Sequence, residues 1–130
     1  MARLSSSTRV RTPATKRIEI QIMGPGYLEI VEASDLSLGG VGVRIPHGFE
    51  GCDLSMPVDL ILTFPSQKPF MVQGRVVHRR SENAQSDFFG VEFTRLSRDH
   101  HKVIEEYITT TLEEDPSLAR EPRAARRRSR

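Results

Sequence analysis

Cysteine occurs once in this chain, at Cys52, so no internal disulfide can form and a reducing cytoplasm is the expected setting. Nowhere does an apolar run approach the roughly 18 residues that a membrane-crossing helix requires, so no membrane insertion is expected. The stretch from Met1 to Pro13 is basic but has no apolar segment behind it, and does not read as a secretory signal. Tryptophan is absent and aromatic residues make up only 6% of the chain, which leaves few stacking platforms for nucleic acid. No histidine–cysteine–carboxylate cluster has the spacing of a metal site. His100 and His101 are adjacent rather than four apart, so they cannot share one helix face around an ion. No serine–histidine–aspartate ordering and no carboxylate pair stands out. The sequence argues against an enzyme and against a resident metal or cofactor.

What is present fits one domain, since 130 residues suffice for a single core but not for two. The formal net charge of +2 conceals an asymmetry. Residues 1–17 carry five basic side chains and no acid. Residues 18–112 hold eight basic against thirteen acidic, and residues 113–130 hold six arginines against four acids. A mildly acidic body thus bears two basic arms, and basic arms meet anions: phosphates, nucleic acid or an acidic partner surface.

Residues 1–15, rich in Ser, Thr, Arg and Pro, read as a flexible basic arm. Strands then follow at short spacing. Ile18, Ile20 and Ile22 alternate with polar residues. Gly24-Pro25-Gly26 turns the chain into a second strand with Tyr27, Glu29, Val31 and Ala33 on one face. Val41, Val43 and Ile45 mark a third strand, and Val58, Leu60, Leu62 and Phe64 a fourth. A long fifth strand runs from about Phe70 to Arg80, with Val72, Gly74, Val76 and His78 on one face, and Phe89, Val91 and Phe93 mark the sixth. Gly74 in mid-strand suits a bend or bulge at a barrel corner. Ser97 can cap a helix whose apolar residues Val103, Ile104, Tyr107, Ile108 and Leu112 recur at three- and four-residue steps. The expected organisation is an all-β, six-stranded antiparallel, Greek-key-like barrel with a C-terminal helix over residues 16–112, then a disordered Arg-rich tail over 113–130.

Between the second and third strands lies Asp35-Leu36-Ser37-Leu38-Gly39-Gly40, read as a sharp polar turn. Asp and Ser offer short side chains that bond locally or to a ligand edge, and the glycines expose bare backbone. The pattern D-x-S-x-x-G is weak alone, since ordinary turns use the same residues. Its neighbours strengthen it. Asp35, Ser37 and Gly40, the flanking Val41-Gly42-Val43, the late strand Val76-Val77-His78-Arg79 and Phe89-Gly90-Val91-Glu92-Phe93 before a helix together resemble the PilZ family, bacterial domains that bind the second messenger cyclic di-GMP. The resemblance covers about residues 9–112. It implies a PilZ barrel, a cytoplasmic, non-catalytic receptor or adaptor, and a nucleotide ligand contacted by Arg9, Arg11, Asp35, Ser37, Gly39 and Gly40; the expected signal is ligand-induced ordering of the arm over residues 5–17 against the barrel, which changes contacts with an unidentified effector protein.

One family element is missing. The R-x-x-x-R that precedes the first strand does not occur: four residues beyond Arg9 is Pro13, and four beyond Arg11 is Thr15. Aligned on Arg11-Thr12-Pro13, the first arginine's place falls on Ser7. An arginine fork can grip a phosphate or the O6/N7 edge of guanine and can stack on a base, so its loss bears on affinity. Two alternatives follow: a PilZ-like adaptor that has lost the ligand and acts through protein partners in motility or polarity, and a small barrel that binds nucleic acid through its basic arms. The acidic body speaks against the latter.

Overall fold

The computed structural model describes residues 4, 8–24, 26–46, 54–81 and 85–120. Among the described residues eight strands and one α-helix follow one another: β1 (Arg9–Arg11), β2 (Glu19–Gly24), β3 (Tyr27–Ser37), β4 (Gly40–Pro46), β5 (Pro57–Thr63), β6 (Phe70–Ser81), β7 (Ser86–Arg95), α1 (Arg98–Glu114) and β8 (Ala119–Arg120). All pairings are antiparallel. The order β2-β5-β6-β7-β4-β3 closes through a β2–β3 pairing, giving the six-stranded barrel expected from the sequence, with β1 and then β8 added beyond β3. β4 and β5, successive among the strands, are separated in the sheet by β7 and β6, which makes the topology Greek-key-like.

Period-2 alternation fills the barrel. Ile18, Ile20, Ile22, Val41, Val43, Ile45, Leu60, Leu62, Val76 and Phe89 are buried in one cluster. Ser97 caps α1, its hydroxyl accepting from the His100 N–H at 3.1 Å. Ile104, Tyr107 and Ile108 turn one helix face onto the core. Tyr107 meets Phe64 edge-on, with ring centroids 5.4 Å apart. Its hydroxyl donates to the Lys16 carbonyl at 2.6 Å, and burial pushes its pKa up to about 12 despite an opposing hydrogen bond with Thr111. Lys16 in turn donates to Thr111 Oγ1 at 3.1 Å, so the segment leading into β2 is tied to the helix.

Three expectations are corrected. The basic arm is not loose as far as residue 15: Arg9–Arg11 form β1, and Ala14–Lys16 a single 3-10 turn. Three residues are too few to show periodicity in a sequence; here Val10, fully buried, fixes them. The Arg-rich tail is not disordered from residue 113. The helix runs to Glu114, a 3-10 turn over Pro116–Leu118 buries Leu118, and Ala119–Arg120 pair with β1. Residues 121–130, Ser7 and Cys52 lie outside the described residues. Third, Asp35 and Ser37 are not in a turn but end β3; only Leu38 and Gly39 turn. The strand continues because β1 supplies a partner along this edge, Arg9 opposite Ser37 and Arg11 opposite Asp35.

Candidate ligand-binding site

Two irregularities in strand pairing create the candidate site. Alternation along β3 would put Asp35 and Ser37 on the same inward face as Val31 and Ala33. The β3–β4 register shifts between Ala33 and Asp35, and beyond that bulge it is Leu36 that enters the core while Asp35 and Ser37 face outward. Thr12 supports the bulge: its hydroxyl donates to the Ala33 carbonyl at 2.6 Å and its N–H to the Ser34 carbonyl at 3.2 Å. A second shift, between Val76 and His78 on β6, does the same for His78. Simple alternation places His78 beside Val76; the extra residue, Val77, turns it to the outer face instead. The shift at Gln73/Gly74 is the bend that Gly74 suggested.

The outer face therefore carries two rows of residues in register. One runs Arg11, Asp35, Gly42, Gly90, His78, and the other Arg9, Ser37, Gly40, Glu92, Arg75. Four of the six residues expected at the site, Arg9, Arg11, Asp35 and Ser37, are brought together on facing strands. Arg9 Nη2 donates to Asp35 Oδ1 at 2.6 Å, with side-chain exposures of only 14% and 9%. Such a charge-assisted bond is short and, with water largely excluded, strong. Arg9 Nε is buried with no hydrogen-bond partner among the described residues, an orphan donor in the middle of the site. Arg11 is exposed.

Ser37 is turned on its own loop: its hydroxyl accepts from the Gly39 N–H at 3.3 Å and lies 3.4 Å from the Gly40 carbonyl, to which it donates. The two glycines of the turn differ. A Cβ on Gly39 would meet nothing within 4 Å, so its backbone is open to approach. A Cβ on Gly40 would be driven into the Val91 carbonyl of β7. Gly40 thus serves strand packing, and Gly39 is the open position.

Phe88, His78 and Arg80 were not singled out as site residues by the sequence, yet they border it. Phe88 is buried but stands outside the core cluster that holds its neighbour Phe89. A Cβ on Gly42 would lie 2.5 Å from Phe88 Cζ and 2.8 Å from Asp35 Oδ1, so the ring leans over Gly42 toward the carboxylate. The Arg80 guanidinium lies 4.5 Å from the Phe88 ring centroid, and the His78 ring meets it edge-on at 6.0 Å. The one available signal was the adjacent pair Phe88-Phe89, of which only one member can face a barrel core. Among the described residues no group of three or more His, Cys, Asp or Glu side chains could hold a metal, and His100 instead stacks on Phe70 at 3.9 Å.

Guanidinium groups, the Asp35 and Glu92 carboxylates, a hydroxyl and the open backbone at Gly39 on one outer wall form a surface suited to an anion bearing planar, hydrogen-bonding rings. Comparison with known proteins agrees with this architecture. No curated protein matches the chain in sequence. Among solved structures, the Bacillus subtilis inhibitor of motility MotI/DgrA superposes with a TM-score of 0.69 at 16% identity, covering 88% of this chain and 54% of that one. The K. pneumonia MrkH–c-di-GMP complex gives 0.70 at 14% identity, covering 84% and 52%. The PilZ domain of YcgR from Escherichia coli, solved with c-di-GMP, gives 0.67 at 14% identity, covering 82% and 89%. The chain spans about half the length of the first two proteins and nearly all of the isolated domain. At these identities the likeness concerns the fold. The PilZ domain model itself matches residues 6–110, and on that match this chain belongs to the PilZ domain family.

Proposed function

We propose that this PilZ domain is a receptor for cyclic di-GMP and binds it on the outer face through Arg9, Arg11, Asp35, Ser37 and the backbone at Gly39 and Gly40. The observation that carries the reading is the seating of β1 on β3, which sets two arginines of the N-terminal segment directly opposite the Asp and Ser of D-x-S-x-x-G. Family membership and the c-di-GMP named in the MrkH and YcgR structures support it. The ligand is a dianion with two guanines. Arginine forks suit its phosphates and the O6/N7 guanine edge, while Asp35 offers acceptors to the guanine's N–H groups. The domain acts by binding and not by catalysis, and it signals by changing its contacts with an effector protein.

The signalling step differs from the ordering of a loose arm. With Arg9–Arg11 a strand and Lys16 held by Tyr107 and Thr111, a ligand that engages Arg9 alters how β1 seats, and α1 receives the change through Lys16. A second reading, an adaptor that works through protein contacts without the nucleotide, is favoured by one observation: Ser7 stands where the family's first arginine belongs.

Calorimetric titration with cyclic di-GMP, with GTP as control, separates the two. A micromolar site corresponds to about −8 kcal/mol, and one charge-assisted hydrogen bond contributes about 1.5–3 kcal/mol. The receptor reading predicts saturable binding at micromolar concentration or tighter, lost in Arg9→Ala. No heat up to about a millimolar, roughly −4 kcal/mol, rejects it in favour of the adaptor.

A further inference from the structure

We propose that Arg120, in the strand that follows the C-terminal helix, is a third arginine of the ligand site and takes the part left vacant at Ser7. The inference rests on the reading of the outer face as an anion-binding surface. In the β1–β8 pairing Arg9 stands directly opposite Arg120, and Val10 opposite Ala119. Directly opposed residues of an antiparallel pair project to the same face, with Cβ atoms about 4.5–5.5 Å apart. Val10 points into the core, so Arg9, Arg11 and Arg120 all belong to the outer face that carries Asp35 and Ser37.

The placement is built, not incidental. The helix ends at Glu114, and the Asp115 carboxylate caps the following 3-10 turn, accepting from the Ser117 N–H at 3.1 Å and its hydroxyl at 2.6 Å. Leu118 is 7% exposed and joins the core cluster. Anchored there, the chain delivers residue 120 to β1 at a fixed position.

Charge shows what the arrangement lacks. Three guanidinium groups crowd two adjacent short strands, and like charges placed directly opposite one another destabilise a sheet. Asp35 is bonded to Arg9. Arg11 and Arg120 are exposed, and neither has an ion-pair partner among the described residues. A bound dianion compensates this excess. The arginine absent from the sequence of the N-terminal segment is thus supplied across the sheet from the C-terminal one.

The test is calorimetric titration of cyclic di-GMP into the full chain and its Arg120→Ala, Arg120→Lys and Arg11→Ala variants, with thermal melting of each without ligand. Arg120→Ala should weaken binding about tenfold or more, and Arg120→Lys should recover part of the loss. The melting temperature of Arg120→Ala should be unchanged or slightly higher, since the side chain is exposed and its removal relieves repulsion. Binding by Arg120→Ala within twofold of the unsubstituted chain, while Arg11→Ala binds weakly, overturns the role of Arg120 and leaves the site reading intact. Absence of binding by the unsubstituted chain overturns both.

Discussion

The two halves of β3 have the same backbone conformation and opposite surroundings. From Tyr27 to Glu32 the strand pairs with β2 on one edge, and its outward residues Leu28 and Ile30 are 53% and 55% exposed. From Asp35 to Ser37 it is flanked by β1 on one edge and β4 on the other, and its outward residues, though polar, are 6% and 3% exposed. The bulge between Ala33 and Asp35 is the boundary. A carboxylate and a hydroxyl are costly to bury, so burial in the second half requires partners: Arg9 for one, the Gly39–Gly40 turn for the other. On the outer face of one strand the polar residues are thus covered and the apolar ones bare, and the difference follows from how many strands flank each half.

The sharpest way to break this contrast is Asp35→Ala. It strands the buried Arg9 guanidinium, and denaturant unfolding should report a loss of about 3 kcal/mol, together with the loss of nucleotide binding. If Asp35→Ala leaves stability unchanged, the Arg9 pair does not hold the second half together. A finer cut compares the two glycines of the turn. Gly40→Ala forces a methyl group against the Val91 carbonyl and should cost about 1–3 kcal/mol, whereas Gly39→Ala should stay within about 0.5 kcal/mol. Equal effects at both positions would contradict the open approach at Gly39. The smallest effect belongs to the first half. Ile30→Ser, on the exposed wall, should change stability by at most about 1 kcal/mol and leave ligand binding untouched.

Much of this was legible in the sequence, and the remainder failed for identifiable reasons. All six barrel strands and the Ser97-capped helix follow from alternation and three- to four-residue spacing, because burial imposes those periods directly. The bulges at Ser34 and Val77 did not show, since one inserted residue looks like a shift of phase. That is why Asp35 read as a turn residue and His78 as a neighbour of Val76. Nor did β1 and β8 show. A strand of three residues and another of two carry no period; they exist because Val10 and Leu118 find the core and their backbones find each other. That Arg9, Arg11, Asp35 and Ser37 would lie near one another was suggested by the D-x-S-x-x-G pattern and its basic prelude, and β1 brings them together. Phe88 needed knowledge of which of two adjacent phenylalanines the barrel would admit.

The short strand β8 has one more consequence, for solubility. A leaf of sheet that extends beyond a closed barrel ends in free backbone N–H and C=O groups, a template on which another chain can add a strand. Among the described residues this leaf carries an exposed arginine, Arg120, which places a charge at that edge. A guanidinium at that position works against pairing edge to edge with a second copy of the chain.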